Sequence, residues 1–185
     1  MRLFIAVHFP EEANQQFLKY MEILKENARG SFTKPQNLHM TLLFLGETDQ
    51  SRISEITAAM KNSIPNPDNP IFMKINEIGQ FKRRNENESL IWAGGLSPAL
   101  SEIHKNLSDS LKKAGFNFDQ KPFVPHITLA RRVQFKAPIV SEKEIEDFLK
   151  SISADFETKV DRICLMSSDL TPDGPIYNEL FQISF

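Results

Sequence analysis

Cysteine, glycine, long apolar runs and an excess of either charge are all scarce in this chain. Its one cysteine, Cys164, excludes an internal disulfide and a cysteine-based zinc site. Its seven glycines form neither a phosphate-binding loop nor a dinucleotide fingerprint, and no Gly-x-Ser-x-Gly nucleophile elbow occurs. No stretch approaches the roughly 20 apolar residues of a membrane span. The apolar run Leu3-Phe4-Ile5-Ala6-Val7 is cut off by His8 and Pro10. That is shorter than the roughly 7–15 residues of a secretory signal core and lacks a small-residue cleavage site. It reads as an N-terminal strand, and a cytoplasmic, reducing location is expected. Lys+Arg number 22 and Asp+Glu 24, a net charge of −2. A broadly basic nucleic-acid coat is excluded, whereas a local basic patch is not.

What remains is ordinary globular material: 185 residues, 41% apolar and 25% charged. A chain of this length hides about 70% of its unfolded surface, and no low-complexity linker divides it, so residues 1–185 are expected to form one domain. A strand is expected over 2–9. A helix over 11–29 follows from Ala13, Phe17, Tyr20, Met21, Leu24 and Ala28 on one face, with Gly30 as its stop. A strand over 39–45 closes at Gly46, and a helix over 51–63 is ended by Pro65, Pro67 and Pro70. A strand over 71–81, a charged loop over 82–88 and a strand over 89–93 follow. Ser97-Pro98 opens a helix that ends at Gly115. A strand over 126–131, a helix from the capping box at Ser141 to Ile152, and strands over 156–167 and 176–184 complete the chain. Mixed helices and strands with antiparallel connections indicate an α+β fold.

One tetrapeptide recurs. His39-Met40-Thr41-Leu42 is answered 87 residues later by His126-Ile127-Thr128-Leu129, each copy after a proline-containing turn and at the start of a strand. Side chains alternate along a strand, so His39 and Thr41 share a face, as do His126 and Thr128. Met40, Leu42, Phe44, Ile127 and Leu129 fall on the opposite, apolar face. A single His-x-Thr in a strand is usually a half-buried hydrogen-bonded pair. Two copies at half-chain spacing, using half of the four histidines, are harder to explain that way.

Two imidazoles facing one point make an acid–base couple suited to in-line displacement at phosphorus. One side chain takes a proton from the entering oxygen and the other gives one to the departing oxygen. Threonine hydroxyls can hold non-bridging oxygens, and Arg131 can neutralise charge developing on them. On an ideal strand, however, Arg131 lies five residues after His126 and so faces the other way; the strand must twist or end before it. Zinc would want three or four ligands, and no acidic residue stands at ligand spacing beside either motif. His8 and His104 carry no such context.

With these residues the chain resembles the two-histidine phosphoesterases, and among them the bacterial and archaeal RNA 2′,3′-cyclic phosphodiesterases, once described as 2′-5′ RNA ligases. The likeness runs over nearly the whole length: Arg2-Leu3-Phe4-Ile5-Ala6, Asn37 to Gly46 around the first motif, Leu90-Ile91-Trp92-Ala93-Gly94, Lys121 to Arg131 around the second, and Leu170 to Tyr177. The resemblance implies a bilobal α+β fold of pseudo-two-fold-related antiparallel sheets flanked by helices, with one His-x-Thr facing the cleft from each lobe. It implies hydrolysis of a terminal 2′,3′-cyclic phosphate to a 2′-phosphomonoester, with no metal and no cofactor. His39 would be the general acid, His126 the general base, Thr41 and Thr128 the phosphate holders and Arg131 the neutralising cation. His8 departs from the pattern, because relatives commonly carry an acidic residue there.

The partners implied are RNA ends or small cyclic nucleotides, with no membrane, and the chain is expected to be a monomer. Lys82-Arg83-Arg84 and Arg131-Arg132 are the basic clusters available to phosphates, although Glu86 and Glu88 offset the first, which equally suits a solvated hairpin tip. Related two-histidine enzymes acting on 2′-5′ oligonucleotides or ADP-ribose cyclic phosphate, a reverse 2′-5′ RNA ligation, and a non-catalytic RNA-end binding module are the competing readings.

Overall fold

The computed structural model describes residues 1–64, 69–82, 88–118, 122–172 and 174–185. Its elements run β1 (Arg2–His8), α1 (Glu11–Asn27), β2 (Ala28–Phe32), β3 (Met40–Glu47), α2 (Ile53–Ser63), β4 (Phe72–Lys82), β5 (Ser89–Leu96), α3 (Pro98–Lys113), β6 (His126–Phe135), α4 (Glu142–Ser151), β7 (Phe156–Lys159), β8 (Arg162–Thr171) and β9 (Gly174–Ser184). All strand pairs are antiparallel, in the order β7-β4-β5-β6-β3-β1-β8-β9, with β2 also paired to β6. The fold is the expected α+β.

The helices are amphipathic and bury one stripe each. Phe17, Met21 and Leu24 of α1, Ile56 and Met60 of α2, and Leu100, Ile103, Leu107 and Leu111 of α3 join Leu3, Ile5 and Val7 of β1 in the main core. Phe4 and Ala6, on the other face of β1, meet Cys164, Met166 and Tyr177 in a small separate cluster. The helices therefore cover one side of the sheet and leave the other for a cleft. Ser97 caps α3, its Oγ accepting from the Leu100 N–H at 3.3 Å, and the Ser141–Glu144 capping box starts α4 as the sequence predicts. Among the described residues no helix is long and apolar enough to cross a membrane.

The sheet has two wings, β7-β4-β5-β6 and β3-β1-β8-β9, joined between β3 and β6 by one residue pair, Met40 with Ile127. Each chain half supplies strand, helix, strand, helix, strand: β1-α1-β3-α2-β4, then β5-α3-β6-α4 with β8. The third strand of each half leaves its own wing. β4 pairs with β5 of the second half, and β8 pairs with β1 of the first.

Two sequence expectations are corrected. The first helix stops at Asn27, and Ala28 opens β2 instead of continuing the helical stripe. Gly30 is not a helix stop but a strand residue pressed on β6, where a Cβ would lie 3.0 Å from the Arg131 carbonyl oxygen and 3.1 Å from Val133. The run 156–167 is two strands, because the chain crosses between wings at Val160 and Asp161. The Val160 N–H donates to the Ile71 carbonyl in one wing, and the Asp161 N–H to the His8 carbonyl in the other. Arg83 and Arg84 of the basic loop lie outside the described residues, as do Pro65, Pro67 and Lys121.

Candidate active site

The join between the wings is built from the middle residues of the two tetrapeptides. Antiparallel pairing of Met40 with Ile127 sets His39 across from Thr128, and Thr41 across from His126. The two motifs, read in opposite directions, thus form a four-cornered patch about a local two-fold axis. Met40 and Ile127 point into the core, fully buried, while the four polar corners are half-buried on the cleft side.

Both strands then bulge at the same place. Thr41 pairs with Ala6 and Leu43 with Ile5, leaving Leu42 extra; Thr128 pairs with Trp92 and Ala130 with Ile91, leaving Leu129 extra. One extra residue reverses the alternation that follows. The fifth residue after each histidine, Phe44 in one copy and Arg131 in the other, therefore returns to the cleft face. Arg131 reaches the site because the strand bulges, and it neither ends nor needs a strong twist. Phe44, expected on the apolar face, is 39% exposed, with the Arg2 guanidinium 4.8 Å from its ring centroid.

Each imidazole is held in the same way. His39 Nδ1 lies 2.7 Å from the Asn37 carbonyl oxygen, and His126 Nδ1 lies 2.7 Å from that of Val124. A carbonyl only accepts, so Nδ1 carries the hydrogen in both rings, and Nε2 is left as the basic atom. In the first copy, Thr41 Oγ1 donates to His39 Nε2 at 3.2 Å. The turn Pro35–Asn37 supplies the first carbonyl and the segment leading into β6 the second.

Burial, then the charges of Arg131 and His126, hold His39 below the usual histidine range, with the Asn37 hydrogen bond pulling the other way. Burial and Arg131 likewise lower His126, opposed by its bond to Val124. Both rings therefore favour the uncharged form at neutral pH.

His39, Thr128 and Arg131 line a cavity of about 680 Å³ with Tyr177, Arg132 and Asn37. Thr41 and His126 form the other cross-strand pair of the patch, and the Phe81 ring meets His126 edge-on at 5.1 Å. Of the five expected residues three line this cavity, and Thr41 and His126 stand beside them across the Met40–Ile127 pair.

The sequence pattern assigns no role to Tyr177 or His8. Tyr177 reaches the cleft from the β8–β9 hairpin and meets the His39 ring edge-on at 5.4 Å; the Thr171-to-Gly174 turn was the signal that could have placed it. His8 follows Val7, the partner of Met40, so its ring lies beside His39 at 6.3 Å. Burial and the charges of Arg162 and His39 push His8 down to about 4. Among the described residues no three His, Cys, Asp or Glu side chains gather as a metal set.

Known proteins match this chain along its length. The family model described as LigT like Phosphoesterase matches residues 7–92 and 94–177. The RNA 2′,3′-cyclic phosphodiesterase of Thermotoga maritima is 35% identical over 190 residues, covering 100% of this chain and 96% of that protein. That of Methanocaldococcus jannaschii is 35% identical over 181 residues, covering 96% of each. The crystal structure of TT0787 of Thermus thermophilus superposes with a TM-score of 0.80 at 27% identity, covering 100% of this chain and 97% of that one.

Proposed function

The chain belongs to the LigT-like phosphoesterase family, and from that premise we propose that it is an RNA 2′,3′-cyclic phosphodiesterase. Its substrates are RNA ends or small nucleotides carrying a 2′,3′-cyclic phosphate, and its product is a 2′-phosphomonoester. The observation that carries the reading is the pair of imidazoles related by the Met40–Ile127 pair, each with Nδ1 anchored on a carbonyl and Nε2 left to exchange a proton.

The phosphate sits over the four-cornered patch. His126 Nε2 takes a proton from water as its oxygen bonds to phosphorus, and the bond from phosphorus to O3′ breaks. His39 Nε2 gives a proton to the departing O3′, the assignment that the motif's likeness to the family supports. Thr41 and Thr128 hold the non-bridging oxygens, and Arg131 offsets the charge that grows on them. The acid must be protonated, although both rings are lowered in the empty cleft. The bound phosphate anion, an opposite charge beside each imidazolium, raises them on binding.

One chain supplies all five residues, and each wing is completed by a strand from the other chain half. Residues 1–185 are accordingly read as one bilobal phosphoesterase unit working as a monomer. A cytoplasmic setting is in keeping with Cys164, a buried thiol pushed up to about 12 beside Glu179. The test is turnover of a 2′,3′-cyclic mononucleotide in excess chelator, with the product assigned by phosphorus NMR. A single 2′-phosphate is expected. No turnover, a 3′-phosphate, or turnover only on adding a divalent cation would overturn the reading. Faster turnover of a 2′-5′ dinucleotide or of ADP-ribose cyclic phosphate would redirect it.

A further inference from the structure

β6 carries a second irregularity, beyond the one that turns Arg131 inward. Relative to β5, Val133 pairs with Ser89 and Ala130 with Ile91; relative to β2, Gln134 pairs with Arg29 and Arg131 with Ser31. On both sides β6 holds one residue too many. Arg132 takes up that excess, at φ +52°, a left-handed conformation that residues other than glycine, asparagine and aspartate rarely adopt. Neighbours on a regular strand face opposite ways. Here the bulge sends Arg131 and Arg132 into one cavity.

The two guanidiniums do different work. The charge of Arg131 bears on both imidazoles, whereas Arg132 is not among the groups that shift either one. Arg132 Nη2 instead donates to Ser31 Oγ at 2.9 Å, on β2, which pairs with β6 there. Among the described residues Arg132 pairs with no carboxylate, and it lines the cavity together with Arg131. A cavity of about 680 Å³ is of the size that houses a whole drug-sized ligand, more than a cyclic phosphate ring occupies.

We propose that Arg132, positioned by Ser31, forms a second anion subsite that grips the phosphodiester joining the terminal nucleotide to the rest of the RNA. This rests on the cyclic phosphodiesterase reading. It makes the protein a reader of RNA ends, with a grip that a single cyclic nucleotide cannot engage.

The experiment compares two trinucleotides ending in a 2′,3′-cyclic phosphate. In one the linkage next to the terminal nucleotide is an ordinary phosphate; in the other it is an uncharged methylphosphonate. The unmodified protein is expected to show a KM about tenfold lower for the charged linkage, with kcat alike, as suits one charge-assisted contact. Arg132→Asn keeps a side chain that tolerates the left-handed backbone but removes the charge; it should bring the KM ratio close to one. Arg132→Lys should restore part of it. A ratio near one in the unmodified protein, or a ratio that survives Arg132→Asn, would overturn the subsite. Absence of turnover on both trinucleotides would remove the underlying activity and the subsite together.

Discussion

Around His39 the cleft floor is made of Ala6, His8, Cys164 and Arg162; around His126 the symmetry-related positions hold Trp92, Gly94, Gly79 and Glu77. The corners match and the floors do not. On the first side, Cys164 and Arg162 share Glu179 at 3.3 and 3.5 Å, and a third imidazole, His8, stands next to His39. On the second side, the indole of Trp92 lies across two glycines and backs onto Phe81 at 5.2 Å and His126 at 6.3 Å. A repeated motif can therefore fix four polar corners while the strands beneath them diverge. Such divergence suits the proposed displacement, in which the two histidines begin each turnover in opposite protonation states.

The sharpest way to break the comparison is to remove one imidazole at a time. His39→Ala and His126→Ala should each lower kcat/KM by about 10³-fold or more on a cyclic nucleotide, in line with acid–base contributions of roughly 10²–10⁴. The two losses should separate on a diester whose leaving group is 4-nitrophenolate, which departs without a proton. Rescue of His39→Ala but not of His126→Ala on that substrate is expected, read by nitrophenolate absorbance. The opposite pattern would exchange acid and base.

Next comes the fifth residue of each strand, cationic in one copy and aromatic in the other. Arg131→Gln should cost about 10²–10³-fold in kcat, as for loss of one group that stabilises transition-state charge. Phe44→Leu should cost about fivefold at most, the scale of an exposed cation–π contact. The pH profile adds a second readout. Both imidazoles are held below 6.5, so the kcat/KM optimum should lie on the acid side of 6.5. The Arg131 charge disfavours their protonation. Its removal raises both, and the optimum of Arg131→Gln should move to higher pH; a fixed optimum would place Arg131 outside the field of the rings.

The aromatic floor gives a smaller effect. A Cβ at Gly79 would lie 2.2 Å from the Trp92 ring, so Gly79→Ala must push the indole aside, at about 1–3 kcal/mol. Its counterpart, Cys164→Ala, only removes a sulfur and should cost about 1 kcal/mol. Urea midpoints compare the two, and His126 should lose activity with Gly79→Ala as its support moves.

Much of this is legible in the sequence because local rules carry it: the amphipathic stripe of α1, the Ser97 and Ser141 caps, and two His-x-Thr pairs whose period-two alternation puts four polar corners on one face. What alternation cannot show is where a strand breaks it. The bulges at Leu42 and Leu129 arise from pairing with β1 and β5, so Phe44 and Arg131 read as facing away. Nor does Val160-Asp161 carry a glycine or proline to mark a crossing that is set by which wing each neighbour joins. Gly30 was misread for a related reason: its role is room for β6, a contact 101 residues away in the chain at Arg131, and only the folded sheet reveals it.

His8 supplies the finest test, since Gly94 stands in its place on the other side. Its folded value is about 4, below the ordinary 6.5, because burial and the neighbouring Arg162 and His39 disfavour the charged ring, while Glu179 and Asp161 oppose them weakly. Between these two values the unfolded chain takes up a proton that the folded chain refuses. Stability must therefore fall as pH drops from 6.5 toward 4 and level off below, by about 2 kcal/mol between pH 7 and pH 5 from this group. His39 and His126 add to the same slope. His8→Asn should flatten it by roughly His8's share, measured as the difference in urea unfolding free energy at pH 7 and pH 5. An unchanged slope in His8→Asn would mean that the third imidazole is solvated and that the two sides of the cleft differ in shape but not in how they hold charge.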